Sequence, residues 1–149
     1  MPEWAGASIV GLYAAQASEP DLRGLLDLPG KTFCFPRIIG EGLEFRQCQS
    51  MELLQPGPWK LLEPDRGRCP MVSPSEIDLL LIPGLAFTRS GGRLGRGGGF
   101  YDRFLIGTHP CAIKMGVCFH VQLAEALPLE AHDHEVDWVV TEGEVVRAG

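Results

Sequence analysis

Arg93, Arg96 and Arg103 bracket a run of glycines, Gly95-Arg96-Gly97-Gly98-Gly99, and Phe100-Tyr101-Asp102 follows at once. Glycine lets a backbone turn through φ > 0 and approach a ligand closely. Arginine offers a fixed charge and a planar fork that matches phosphate or carboxylate oxygens. A helix opening directly after such a loop would aim its unpaired N–H groups at the same anion. Together these residues read as a cradle for phosphate, and so for a nucleotide or a phosphorylated intermediate. The alternative is a flexible surface loop whose arginines are merely solvated. The loop is not a Walker A motif, because no Gly-Lys-Ser/Thr follows, and it lacks the spacing of a dinucleotide fingerprint.

Carboxylates near such a loop suggest a divalent cation. Mg²⁺ is commonly held by one or two carboxylates together with phosphate oxygens. Asp102, at the helix start, and Asp133, ahead of an apolar run, have the right chemistry. Each taken alone is better explained as a helix-start or turn acid. The His132-Asp133-His134 triplet has no third ligand at zinc spacing and reads as a solvated turn. Ser8 and Ser90 lack the context of an activated nucleophile. Trp59 and Tyr101 could stack on a flat heterocycle, although core packing is the commoner use of a single aromatic.

Composition narrows the field. The net charge of −6 argues against general nucleic-acid binding and sets the arginine cluster apart from an acidic background. No apolar run reaches the length of a membrane span, and the first residues lack the pattern of a signal peptide. The five cysteines, Cys34, Cys48, Cys69, Cys111 and Cys118, form no Cys-x-x-Cys pair. They are expected to be free thiols in a reducing cytoplasm, with Cys34, Cys111 and Cys118 in strand-like runs.

The elements that must position these residues follow from periodicity. Trp4, Ile9, Leu12 and Tyr13 suggest a helix over residues 4–15. Asp21 is expected to cap a second helix ended by Pro29-Gly30. Strands are expected over residues 31–35, stopped by Pro36, and over residues 43–48. Residues 55–75 read as a long surface loop. The continuous apolar runs 77–82, 112–119 and 136–141 read as strands buried on both faces. A short helix is expected over residues 121–127, a polar turn over 128–135 and an edge strand over 144–147. Strands alternating with helices indicate one α/β domain over residues 1–149 with a mainly parallel sheet. The glycine loop then lies at the C-terminal edge of the strands, where such folds bind ligands.

The central segment, Pro83-Gly84-Leu85-Ala86-Phe87 followed by Gly92 to Asp102, resembles the signature of the 5-formyltetrahydrofolate cyclo-ligase family. Residues 13–19, Gly30-Lys31, Pro36-Arg37, Glu63-Pro64, His132-Asp133 and Thr141-Glu142 resemble the flanking motifs in the same order. The resemblance implies a three-layer α/β/α sandwich of the ribose-phosphate isomerase and CoA-transferase-like group. It implies ATP- and Mg²⁺-dependent conversion of 5-formyltetrahydrofolate to 5,10-methenyltetrahydrofolate, with release of ADP and phosphate. By motif, Arg93, Leu94, Gly95, Arg96, Gly97, Gly98, Gly99, Phe100 and Tyr101 would line the ATP site, with Arg96 and Tyr101 at the reaction centre. Glu19, Trp59 and the stretch Arg96 to Phe100 would meet the folate, and Asp102 and Asp133 would hold Mg²⁺. A cytoplasmic monomer or weak homodimer, with no nucleic-acid or membrane partner, is expected.

Two departures from the family pattern bear on activity. Gly98 and Phe100 stand where many members have lysine and a different aromatic residue. The N-terminal helix with its Lys-x-x-x-Arg phosphate contacts has no counterpart, so the domain reads as N-terminally shortened. That departure supports a second expectation, a reduced-folate or nucleotide-binding protein that has lost turnover.

Overall fold

Leu79, Leu80, Leu81 and Ile82 form the centre of the molecule because all four are apolar and can be buried on both faces of a sheet. The computed structural model describes residues 1–128 and 133–148. Its strands are β1 (Ile9–Gly11), β2 (Thr32–Ile39), β3 (Gly42–Gln47), β4 (Leu54–Pro56), β5 (Leu62–Pro64), β6 (Met71–Val72), β7 (Leu79–Ile82), β8 (Ala86–Thr88), β9 (Arg93–Leu94), β10 (Ile113–Val117), β11 (Leu123–Ala124), β12 (Trp138–Val140) and β13 (Val145–Arg147). Its α-helices are α1 (Pro2–Gly6) and α2 (Phe100–Ile106).

Eight strands form one sheet in the order β13-β12-β10-β7-β1-β2-β3-β6. The inner strands β12, β10, β7, β1 and β2 are parallel, and β13, β3 and β6 add antiparallel edges. Alternation along β7 sends Leu79 and Leu81 into one core with Val10, Phe33, Phe35 and Met115. Leu80 and Ile82 enter the other with Phe45, Phe87, Phe104 and Val139. Two aspartates lock the parallel register from outside. Asp78 Oδ2 accepts the N–H groups of Ser8 and Ile9. Asp137 Oδ2 accepts that of Lys114.

The expected mixed α/β class with a large, mostly parallel sheet is present. Short helices, 3₁₀ turns and two small sheets flank the large sheet.

Several local expectations are corrected. Residues 4–15 do not form one helix. α1 ends at Gly6, and β1 then enters the sheet between β2 and β7. Its apolar residues face both cores, which erases the alternation of an ordinary strand. The second helix is a 3₁₀ turn over Arg23–Asp27, and Asp21 bonds Arg23 rather than capping it.

Pro36 does not stop β2, which continues to Ile39. Thr32 and Cys34 bond toward β1, so the missing N–H of Pro36 falls on that side, past the last β1 pairing at Gly11. The supposed loop 55–75 carries the β4–β5 hairpin and strand β6. Residues 121–127 are not helical. A 3₁₀ turn over His120–Gln122 leads into β11, and the Gln122 amide donates to the Gly84 and Leu85 carbonyls. Cys111 is exposed in the turn before β10, where its N–H donates to His109 Nδ1; the other four thiols are buried. His132 and residues 129–131 of the expected polar turn lie outside the described residues. No helix of the described residues is long and apolar enough to cross a membrane.

Candidate functional site

β7 ends at Ile82, and Pro83-Gly84 turns the chain into a hairpin, β8–β9, that delivers the glycine loop. The hairpin is closed by local bonds. Thr88 N–H donates to the Gly92 carbonyl, and Gly92 N–H donates to Thr88 Oγ1 at 2.8 Å. Gly97 and Gly99 then take φ of 99° and 68°, left-handed conformations that carry little penalty only for glycine. α2 starts immediately after Gly99.

This loop forms one wall of a cavity of about 380 Å³ at the C-terminal edge of the parallel strands. Arg93, Leu94, Gly95, Arg96, Gly97, Gly98, Gly99, Phe100, Tyr101, Asp102, Asp133 and Glu19 all line it. The opposite wall comes from the segment after β1 (Tyr13, Ala14, Gln16), the far half of β2 (Pro36, Ile38), Leu43 and the β4–β5 hairpin (Leu61, Leu62, Glu63). The cavity thus has a charged half and a largely apolar half.

The three arginines do different things. Arg93 Nε donates to the Pro83 carbonyl at 2.8 Å, and its guanidinium lies 5.1 Å from the Tyr101 ring centre. Burial holds its ionisation below the ordinary arginine value, opposed by the nearby Tyr101, Asp102, Asp133 and Glu19. Arg96 is freer, with 42% of its side chain exposed. It reaches Ser18 Oγ at 3.1 Å and Glu19 Oε2 at 3.5 Å. Arg103 does not line the cavity. Its guanidinium donates to the carbonyls of Glu41 and Gly98 and lies over the Phe100 ring. The loop is therefore held from both ends, by Arg93 and Arg103, with Arg96 presented between them.

Tyr101 has its hydroxyl ionisation pushed well above the ordinary range, chiefly by burial. It is a neutral phenol at physiological pH, able to donate a hydrogen bond but not to act as a ready base. Tyr13 is shifted upward for the same reason, with Glu19 adding to the effect. Glu19 Oε1 accepts the Gln16 N–H at 2.8 Å, which fixes the turn that carries it. Asp102 Oδ1 accepts the His134 N–H at 3.1 Å, linking the helix start to the segment that leads into β12. Asp102 and Asp133 are hard oxygen donors on the same charged wall, beside Arg93. A pair of carboxylates fits a Mg²⁺ ion shared with phosphate oxygens better than a caged structural metal.

Trp59, like Arg103, does not line the cavity. It is 74% exposed at the tip of the β4–β5 hairpin, edge-on to Phe100 with ring centres 6.4 Å apart. Residues that the motif reading left without a role also enter the cavity: Tyr13, Ile38 and the buried Glu63. The sequence signal for Glu63 was an acid set between Leu61-Leu62 and Pro64, a place where a solvated carboxylate is out of pattern.

Comparison with known proteins shows the family of the chain. The model of the 5-formyltetrahydrofolate cyclo-ligase family matches residues 1–142. A protein of Schizosaccharomyces pombe named as a probable 5-formyltetrahydrofolate cyclo-ligase is 28% identical over 165 residues, covering 99% of this chain and 81% of that protein. The Saccharomyces cerevisiae 5-formyltetrahydrofolate cyclo-ligase is 35% identical over 109 residues, covering 66% of this chain and 50% of the relative. The chain thus spans about half the length of some of the relatives it matches. Among solved structures, a 5,10-methenyltetrahydrofolate synthetase of Aquifex aeolicus superposes with a TM-score of 0.83 at 35% identity, covering 99% of this chain and 75% of that one. A second, from Mycoplasma pneumoniae, shares the fold with a TM-score of 0.69 at 21% identity.

Proposed function

Because this chain belongs to the 5-formyltetrahydrofolate cyclo-ligase family, we propose that it converts 5-formyltetrahydrofolate to 5,10-methenyltetrahydrofolate, consuming ATP and releasing ADP and phosphate. The observation that carries this reading is the two-sided cavity. One half offers Arg93, Arg96, the glycine loop, Asp102 and Asp133 to phosphates; the other offers an apolar slot to a flat heterocycle. The three-layer fold group belongs to the same proposal.

The chemistry explains why both halves must meet. The formyl oxygen on N5 is a poor leaving group. It attacks the γ-phosphorus of ATP, the bond to the bridging oxygen breaks and ADP leaves. The formyl carbon is then an electrophilic imidate-like centre bearing phosphate. N10 attacks that carbon and loses its proton, and the C–O bond to phosphate breaks, closing the ring. No side chain needs to form a covalent bond, so catalysis rests on positioning and charge stabilisation.

In this reading Arg96 neutralises charge on the transferring phosphoryl group, and Arg93 holds the loop and the inner phosphates. Backbone N–H groups of Gly95, Gly97, Gly98 and Gly99 approach phosphate oxygens closely because no Cβ intervenes. Tyr101 donates a hydrogen bond as a neutral phenol. Glu19 orients Arg96 and offers its carboxylate to the folate, while Trp59 swings onto the heterocycle from the hairpin tip. Asp102 and Asp133 would hold Mg²⁺, which supplies charge neutralisation on the phosphates when bound.

The test is spectrophotometric. Protein mixed with 5-formyltetrahydrofolate, Mg²⁺ and ATP should develop the methenyl absorbance only when ATP is present. Arg96→Ala should lower turnover by about a hundredfold or more with an unchanged melting curve. Product without ATP, or an Arg96→Ala rate equal to wild type, would overturn the proposal.

A further inference from the structure

The reaction scheme uses none of the five thiols, and two of them face each other across a strand pair. β3 and β6 run antiparallel with Phe45 opposite Val72 and Arg46 opposite Met71. The Gln47 N–H donates to the Pro70 carbonyl at 2.8 Å and carries that register one step further. The next step sets Cys48 opposite Cys69. Both belong to the core that holds Phe33 and Leu79, and both are 1% exposed. The Cys48 N–H turns away to the Phe33 carbonyl, and the Cys69 N–H to the Asp65 carbonyl. The two residues thus form a non-hydrogen-bonded pair, the kind whose Cα atoms approach to about 4.5 Å. That lies within the roughly 4.4–6.8 Å that a disulfide spans. Burial pushes the Cys48 thiol up to about 11, and the neighbouring Cys69 thiol adds to the effect. Cys34 and Cys118 lie in the other core, and Cys111 is exposed in its turn.

Cys48 and Cys69 enclose residues 49–68, which carry the β4–β5 hairpin. That hairpin gives the cavity Leu61, Leu62 and Glu63 and holds the exposed Trp59 at its tip. The turn before Cys69 lies at the surface, with Arg66, Gly67, Arg68 and Pro70 exposed around the buried cysteine. Arg46 holds this turn closed by donating to the Cys69 carbonyl at 2.8 Å. When the turn opens, Arg66 and Arg68 favour the thiolate of Cys69, which is its reactive form.

We infer that Cys48 and Cys69 form a reversible disulfide that fastens the base of the hairpin and slows entry of the heterocycle. The effect on entry rests on the folate reading above; the bond itself does not. A hairpin tied at both of its ends moves less freely as a unit, so the cavity wall opens less often. The oxidant is a low-molecular-weight disulfide such as oxidised glutathione. The Cys69 thiolate attacks one of its sulfurs, the small S–S bond breaks and one small thiolate leaves. Cys48 then loses the proton that it donates to the Ser50 carbonyl, and its thiolate attacks Cys69 Sγ. The second small thiolate leaves. Two protein thiols have become one disulfide, and one small disulfide has become two thiols. Excess small thiol reverses both steps.

The test uses a Cys111→Ala protein, so that the exposed thiol cannot react first. After treatment with oxidised glutathione, thiols counted in denaturant should fall from four to two. A digest made without reductant should contain one linked pair of peptides, carrying Cys48 and Cys69. The melting temperature should rise by several degrees, and dithiothreitol should reverse every change. Cys69→Ala in the same background should show neither the link nor the rise. If that variant does not fold, the peptide map decides alone. Stopped-flow binding of 5-formyltetrahydrofolate without ATP should be severalfold slower after oxidation and recover with dithiothreitol. Four unchanged thiols, glutathione retained as a mixed disulfide, or a link through Cys34 or Cys118 would overturn the pairing. A link between Cys48 and Cys69 with unchanged folate rates would overturn its effect on the site. A linked protein that binds no folate in either redox state would instead overturn the folate reading and leave the disulfide standing.

Discussion

At the residue scale, the candidate site shows how identical side chains take different roles from their neighbours. Arg103 spends its guanidinium on two backbone carbonyls, Arg93 spends one N–H on another, and Arg96 lines the cavity bonded only to the Ser18 and Glu19 side chains. Asp102 is likewise divided: Oδ1 holds the His134 N–H, and the carboxylate also borders the cavity. That division gives a prediction. Asp102→Asn keeps an oxygen for His134 but removes the charge available to a cation. It should fold normally, and the Mg²⁺ concentration needed for half-maximal turnover should rise about tenfold or more. A Mg²⁺ titration of the rate at saturating ATP checks this; an unchanged midpoint would remove Asp102 from the cation site.

At the scale of elements, the glycine loop and α2 act as one unit clamped to the β2–β3 turn through Arg103 and Glu41. α2 is only seven residues long and would be marginal alone. It is held by Phe104, which packs on Phe45 with ring centres 4.7 Å apart, and by buried Leu105. Gly99 is the hinge between loop and helix. A Cβ there would lie 2.9 Å from Arg103 Nη1 while the backbone stays at φ 68°. Gly99→Ala should therefore cost about 1–2 kcal/mol locally. Differential scanning calorimetry should show a fall of a few degrees in melting temperature. The KM for ATP should rise severalfold while folate affinity moves less. Equal effects on both substrates would mean that the loop does not act on ATP separately.

At the scale of the whole molecule, burial sets the alkaline limit of stability. Both tyrosines of the chain, Tyr13 and Tyr101, have their ionisation pushed up mainly by burial. The thiols of Cys34, Cys48 and Cys118 are raised from 9.0 to about 12, 11 and 11 for the same leading reason. Each group is neutral when protonated, so the unfolded chain releases these protons first as pH rises. Their contribution is intact below about pH 9 and is lost as pH climbs through the raised values. Above the ordinary value, each group withdraws about 1.4 kcal/mol of stability per pH unit. Denaturant titrations should thus show a flat midpoint near neutrality and a steep decline from about pH 9 upward. The tyrosinate band should appear together with unfolding rather than at the ordinary value of 10.0. Tyrosinate formation in the still-folded protein would contradict the burial of both hydroxyls.

Local pattern was enough for some of these features. Runs such as Leu79–Ile82 read as strands buried on both faces, because continuous apolar residues have few other soluble arrangements. The order of glycines, arginines and Phe100-Tyr101-Asp102 marked a loop followed by a helix, because glycine and helix-start preferences act over a few residues. Tertiary structure decided the rest. β1 became a strand because two parallel neighbours were waiting for it, although its spacing resembled a helix. Pro36 could stay inside β2 because β1 had already ended on that side. Arg103 left the anion loop because the β2–β3 turn brought the Glu41 carbonyl within reach. Glu63 entered the apolar half of the cavity because the hairpin folded over it. Each outcome depends on partners distant in the chain, and pairing and burial between distant segments leave no local period to read.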